Sequence, residues 1–248
     1  MRKKILVVSH ERSGTHFLMN SICLNFGFDM GWIDVFARDS VGLNIYKAEK
    51  YKKNIEKFML KNWNSNSNKI YKSHHQVVFF EKYIEKLLEL YCVFYIVRDP
   101  RDTIVSCYHY FHKARVSAFP IAQTVKDLMF NIQPYNYPFD GAYSLIKSDD
   151  FLTRWITHVS GWLKYCHRVK VIKFSDLKND FQVTIDGISE VVGTSARKPL
   201  VVPDLKTNTV SPRKGVEGDW ENYINDDDNK NICKKVESAG LGEFLVEP

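Results

Sequence analysis

The chain is short of the features that mark several large classes of protein. Its five cysteines, Cys23, Cys92, Cys107, Cys166 and Cys233, are odd in number and contain no C-x-x-C pair. Neither a disulfide framework nor a zinc site is expected, and a reducing compartment is the default. Long apolar runs are missing as well: none approaches the roughly 18 residues of a membrane span. The apolar run at residues 5–8, behind a basic start, is broken by Ser9-His10-Glu11-Arg12 too early for a secretory segment. There is no basic run beyond Arg2-Lys3-Lys4, no internal repeat and no shift of composition that would divide the chain. The expectation is one domain over residues 1–248, cytoplasmic, with neither nucleic acid nor membrane as a partner.

What is present describes a folded enzyme-sized chain. An apolar content of 44% and a charged content of 26% over 248 residues exclude a disordered tail, a collagen or a small disulfide scaffold. The balance of 35 Lys+Arg against 29 Asp+Glu, formally +6, suits a protein that holds polyanionic ligands. Residues 5–8 read as a buried strand and 15–25 as a helix; a helix over 50–61 and a loop over 64–68 follow. A strand at 69–72, a helix at 80–91 and a strand at 92–97 come next. Pro100 opens another helix, capped by Asp99 and continuing through 103–112. Helices at 121–131 and 150–166, a strand at 169–174 and a helix within 181–192 complete the alternation, and residues 206–218 form a long polar loop. Strands alternating with helices predict an α/β fold, a P-loop-like parallel sheet flanked by helices on both faces, whose ligands collect at the carboxyl ends of the strands.

Three such places have anion-binding character. In Ser9-His10-Glu11-Arg12-Ser13-Gly14-Thr15-His16-Phe17 a buried strand runs through a short loop into a helix, which aims backbone N–H groups and a helix N-terminus at one spot. It is not a Walker A loop, having neither the earlier glycine nor a lysine before Ser or Thr, so ATP with magnesium is disfavoured. An ordinary strand-to-helix turn is the plain alternative. In Tyr95-Ile96-Val97-Arg98-Asp99-Pro100-Arg101-Asp102, Arg98 leaves a strand end and Ser106 lies about two turns into the next helix. Together they can grip a second phosphate; a surface Arg98–Asp102 pair is the alternative. In Arg213-Lys214-Gly215-Val216-Glu217-Gly218-Asp219-Trp220, two cations precede spaced glycines, and Trp220 anchors the end of a flexible basic loop.

In order and spacing, these segments resemble the signature regions of the cytosolic sulfotransferase family. The first is similar to S-Y-P-K-S-G-T-T-W, the second to R-N-P-K-D-x-x-V-S-Y-Y-H, and the third reproduces R-K-G-x-x-G-D-W. Trp155, His158 and Trp162 ahead of a strand resemble H-V-x-x-W-W. The resemblance runs from about residue 5 to about residue 223. It implies 3′-phosphoadenosine 5′-phosphosulfate (PAPS) as sulfonate donor, 3′-phosphoadenosine 5′-phosphate (PAP) as product, a small-molecule acceptor bearing a hydroxyl or amine, and no metal.

Carried over by position, Arg12, Ser13, Gly14, Thr15 and His16 hold the 5′-phosphate and sulfonate, while Arg98, Ser106, Arg213, Lys214 and Gly215 hold the 3′-phosphate. Phe17 falls at the adenine-stacking tryptophan and Phe174 at a tyrosine near the adenine. Lys72-Ser73-His74 resembles K-T-H, which makes His74 the general base and Lys72 the group on the transferring sulfonate. His75 is the alternative base, because adjacent side chains of an extended segment point oppositely and only one faces the donor. Arg12 replaces the loop lysine of the family and delivers its charge as a planar fork. Acceptor walls are expected from residues 30–36, 108–119 and 131–143, with Tyr110 as the single named acceptor contact. The family's dimer motif K-x-x-x-T-V-x-x-x-E is absent after Trp220, so the oligomeric state stays open. A P-loop nucleotide kinase or other phosphotransferase, and a nucleotide-binding module without turnover, are the competing readings.

Overall fold

Strand β1, Lys4–Ser9, is apolar on both faces, as a strand must be to lie in the middle of a parallel sheet covered on each side. The computed structural model describes residues 4–29, 68–114, 122–131, 150–204 and 215–246. Within them, β1 pairs in parallel with β2 (Ile70–Ser73) on one side and β3 (Tyr91–Val97) on the other; β4 (Val169–Lys173) pairs with β3. The order is β2-β1-β3-β4. Since β2 and β3 lie on opposite sides of β1, the chain parts beyond the carboxyl ends of β1 and β3, which is where such sheets open a crevice for ligand.

Successive residues of β1 face opposite layers. Ile5 and Val7 pack with Phe94 and Ile96 of β3 against α1 (Thr15–Phe26), α6 (Phe174–Asn179) and α7 (Phe181–Val192). Leu6 and Val8 join Val93 and Tyr95 beneath α2 (Ile84–Leu90), α3 (Pro100–Ala114), α4 (Val125–Phe130), α5 (Phe151–Leu163) and α8 (Asp226–Ser238). The period of two along the strands thus builds two cores, one on each face.

Local chemistry sets the element ends. Asp99 caps α3 through the Arg101 N–H at 2.8 Å, with Pro100 in the first helical position where its missing N–H costs nothing. Thr124 and Asp127 form a reciprocal capping box on α4, and Asp150 caps α5 through Thr153 N–H at 2.7 Å. Several boundaries differ from the sequence expectation. The helix expected over 80–91 is one 3₁₀ turn, Glu81–Tyr83, followed by α2, and Tyr91 belongs to β3. Phe174, expected to end a strand, begins α6 instead. Helix α8 was not anticipated at all: its mostly polar sequence shows only Ile232 and Val236 to the core. The helix at 50–61 and residues 64–67 of the expected loop lie outside the described residues, as does the loop at 206–218 up to residue 214. No helix among the described residues is long and apolar enough to cross a membrane.

Candidate active site

The loop after β1 is shaped to receive an anion. Arg12 and Gly14 both have positive φ, 66° and 95°, and Gly14 is the N-cap of α1 with no side-chain cap bond. The first intrahelical bond of α1 is Leu18 N–H to Gly14 carbonyl at 3.1 Å, so the N–H groups of Thr15, His16 and Phe17 find no acceptor inside the helix. They concentrate positive potential at the loop. Ser13 is fully buried there, and its Oγ has no hydrogen-bond partner among the described residues. An orphaned hydroxyl beside uncapped helix N–H groups is what a phosphate oxygen would satisfy. Glycine is required at position 14 on two counts. The left-handed φ disfavours any side chain, and a Cβ there would stand 2.3 Å from Phe174 Cδ2.

Arg12 turns its side chain toward α3. Its Nε donates to Ser106 Oγ at 3.1 Å, and its guanidinium lies over the Tyr110 ring, 4.9 Å from the centroid. The structure therefore brings the first loop, Ser106 and Tyr110 to one place, although the sequence separates them by two strands, two helices and a long stretch of chain.

The end of β2 supplies the second wall. Parallel pairing aligns Lys72 with Val7 and Ser73 with Val8, so the residues just past β2 come level with Ser9. Lys72 is buried, with Nζ 3.0 Å from His16 Nε2, and burial pushes its pKa down to about 8 against the opposing pull of Glu11. His74 places Nδ1 3.0 Å from the Ser9 carbonyl oxygen and 3.2 Å from Ser9 Oγ, which itself contacts Thr15 Oγ1 at 2.6 Å. A carbonyl only accepts, so Nδ1 carries the hydrogen and the lone pair of the neutral ring is on Nε2. Burial, aided by the Lys72 charge, pushes His74 down to about 4. His75 points the other way. It is 2% exposed, its Nδ1 meets Ser73 Oγ at 3.0 Å, and its ring edge packs on Phe80. Burial presses it to about 3.

The third wall forms at the end of β3. Arg98 lies over the Phe174 ring at 4.8 Å, reaches the Val216 carbonyl at 2.5 Å and pairs with Asp102 at 3.5 Å. Phe17 meets Phe174 edge-on with centroids 6.2 Å apart. Gly215 stands at the edge of this cluster; Arg213 and Lys214 lie outside the described residues.

Several contacts that hold the site together were not foreseen from sequence, where Asp102 was read only as a surface partner for Arg98; the pair forms, but buried. The Asp102 carboxylate accepts from Gly218 N–H at 3.0 Å and Trp220 N–H at 3.3 Å, tying the end of the basic loop to α3. Lys178 Nζ donates to the Gly215 carbonyl at 2.8 Å. Arg154, buried on α5, faces Glu11 at 3.7 Å. These partners are scores of residues apart, and no local pattern marks them; only the glycine spacing next to Trp220 hinted that a backbone would need an acceptor. Collectively the three strand ends gather buried cations, uncapped helix N–H groups and a neutral imidazole at one end of the sheet.

Comparisons with known proteins bear on the family and the fold. A family model described as "Sulfotransferase domain" matches residues 2–239. Among curated relatives, rat sulfotransferase 2B1 is 24% identical, over 89% of this chain and 66% of its own. The chain thus spans about two thirds of the length of that relative. Among solved structures, mouse sulfotransferase SULT7A1 complexed with PAP superposes with a TM-score of 0.64 at 19% identity, covering 98% of this chain and 87% of the other. Retinol dehydratase in complex with androsterone and inactive cofactor PAP gives 0.62 at 16%, covering 99% and 82%. At these identities the superpositions show a shared fold.

Proposed function

The chain belongs to the sulfotransferase-domain family, and from that premise we propose that it is a PAPS-dependent sulfotransferase of one domain over residues 1–248, acting in the cytoplasm on a small organic acceptor through a hydroxyl or amine. One observation carries the reading: an anion-receiving loop with an orphaned Ser13 hydroxyl follows Ser9, whose carbonyl engages His74 Nδ1 and leaves Nε2 to take a proton.

The donor, when bound, supplies an activated sulfonate whose leaving group is the 5′-phosphate of PAP. The loop N–H groups, Arg12, Ser13, Gly14, Thr15 and His16 are read as the grip on that end, with Lys72 beside it as a cation for charge on the transferring group. Arg98, Ser106 and Gly215, with Arg213 and Lys214, are read as the grip on the 3′-phosphate. Phe17 and Phe174 are read as the aromatic surface for the base. His74 Nε2 accepts the proton of the attacking hydroxyl or amine, and Tyr110 is the proposed acceptor contact.

The donor assignment is tested by thermal shift with PAP, ADP and ATP, each with and without magnesium. PAP at about a hundred times its dissociation constant should stabilise the fold by about 2.7 kcal/mol, a rise of about 5–10 °C. ADP and ATP should give little, whatever the magnesium. Stabilisation by ATP with magnesium instead would replace this reading with a phosphotransferase. Turnover is then sought with radiolabelled donor and a panel of phenols, aliphatic alcohols and primary amines. No transfer to any of them, with PAP binding intact, would favour a nucleotide-binding module without turnover.

A pH profile follows from the same two groups. Transfer needs His74 neutral and Lys72 charged. His74, lowered to about 4, is protonated only below that pH; Lys72, lowered to about 8, loses its charge as the pH rises through that value. The expected kcat/KM, which reports the free enzyme, is flat between about 4 and about 8 and falls on both sides. A Lys72→Met variant should lose the alkaline limb and keep the acid one.

A further inference from the structure

Beneath the proposed base lies a set of buried polar side chains that the transfer step does not use. His158 Nε2 of α5 is 3.3 Å from the His74 carbonyl oxygen. Since a carbonyl has no hydrogen to give, Nε2 carries the proton and the neutral ring offers its lone pair at Nδ1. The Tyr95 hydroxyl of β3 donates to that lone pair at 2.8 Å. Four positions along the helix from His158, on the same face, Trp162 Nε1 donates to the His75 carbonyl at 3.0 Å. Each acceptor and donor in the chain Tyr95, His158, His74 carbonyl is thereby matched to a single tautomer.

The segment these bonds grip is also held by the His74 ring on Ser9 and by the His75 N–H on Ser73 Oγ, but it has left the sheet. Strand β2 ends at Ser73, so residues 74 and 75 have no ladder bonds to the sheet. The clamp itself is rigid. The Tyr95 ring stacks on His158 and on Trp162, with 20° between planes and centroids 5.6 and 6.1 Å apart, and the His10 ring closes edge-on at 5.5 Å. Tyr95 and Trp162 are fully buried and His158 is 2% exposed. Burial holds the His158 ring neutral, which preserves the one-donor, one-acceptor arrangement.

We infer that His158 is a positioning residue for the transfer: with Trp162 it clamps the backbone of residues 74 and 75 to α5 and so sets where His74 Nε2 stands. This rests on the reading of His74 as base. A catalytic group misplaced by about 1 Å costs on the order of 10²-fold in rate, and hydrogen bonds through a carbonyl act on position at that scale. The same inference gives the H-x-x-x-W spacing of His158 and Trp162 a physical purpose, as two donors one turn apart aimed at consecutive carbonyls.

The test uses the full chain and the fastest acceptor of the panel. For His158→Leu, kcat should fall roughly 10²-fold, the PAP dissociation constant should stay within about twofold of wild type, and the imidazole Nδ1–H proton resonance of His74 should be lost from the NMR spectrum. His158→Gln, whose amide can still donate to the His74 carbonyl, should recover about tenfold of the lost rate. Retention of kcat and of the resonance in His158→Leu overturns the inference. So does a parallel loss of rate, PAP binding and thermal stability in which Gln is no better than Leu, since that describes packing alone. Should His158→Leu fail to fold, Tyr95→Phe removes only a hydroxyl and decides the matter: a fall of about tenfold in kcat supports the clamp, and an unchanged kcat overturns it. His74→Ala separates the two levels. An active His74→Ala enzyme removes the base reading and this inference together, whereas an inactive one beside a fully active His158→Leu removes only the inference.

Discussion

Replacement of His74 by alanine is expected to lower kcat by roughly 10²–10⁴-fold while leaving the PAP dissociation constant within about twofold. The size follows from the work asked of the side chain. A hydroxyl is a poor nucleophile until its proton is taken, and the Nε2 lone pair of His74 is the acceptor the site offers, because Nδ1 is engaged by the Ser9 carbonyl. The neutrality of PAP binding follows from the placement: the proposed phosphate grips come from the loop after β1, the end of β3 and the basic loop, and none of them includes the imidazole. Radiolabelled transfer and calorimetric titration with PAP check the two halves separately. His75→Ala is the paired control. That ring is buried on Ser73 and Phe80, so its loss should lower thermal stability with kcat largely kept in the folded fraction. A dead but stable His75→Ala beside an active His74→Ala would reverse the assignment.

Gly14→Ala should abolish measurable PAP binding and lower the melting temperature by several degrees. Position 14 has φ of 95°, and a side chain held in such a region costs about 1–3 kcal/mol. The new methyl would also stand 2.3 and 2.7 Å from two carbons of the Phe174 ring. That ring is 3% exposed and carries Arg98 on its face, so it cannot yield without moving the arginine read as the 3′-phosphate grip. Both ends of the donor site therefore shift with one methyl group. Thermal shift with and without PAP gives the result directly. Phe174→Leu in the same chain should relieve the overlap but not the backbone strain, so the double variant should be more stable than Gly14→Ala and still bind PAP poorly. A Gly14→Ala protein with unchanged melting temperature and PAP affinity would show that the loop is far more pliable than its packing implies.

The comparison of the two levels of description is best made on particular residues. The opening strand, loop and helix were legible because each rests on neighbours in sequence: an apolar run long enough for a buried strand, a glycine where the backbone turns left-handed, then helical spacing from Thr15. The Asp99-Pro100 start of α3 was legible for the same reason, a cap and a residue without an N–H side by side. Helix α8 was not, because a helix that shows two core residues among charged ones has almost no apolar period to read. In sequence the choice of His74 over His75 rested on the resemblance to K-T-H alone. Alternation says that the two differ, and only the partners, Ser9 for one and Ser73 with Phe80 for the other, say which way each one faces.

What the sequence by itself determined about this protein is therefore the set of parts: an alternating α/β chain, a glycine-bearing loop before a helix, a cation at a strand end, and a lysine and two histidines around the end of another. Each depends on backbone preference and burial pattern, which act over a few residues. The tertiary structure decided how the parts meet. It set Arg12 on Ser106, Lys72 against His16, Asp102 under Gly218, and His158 against the carbonyl of His74. Those pairings are made by strand order and parallel register, which bring the carboxyl ends of β1, β2 and β3 level with one another. A hydrogen bond between residues that far apart is specified by the sheet that carries them, and leaves no mark in the local sequence of either partner.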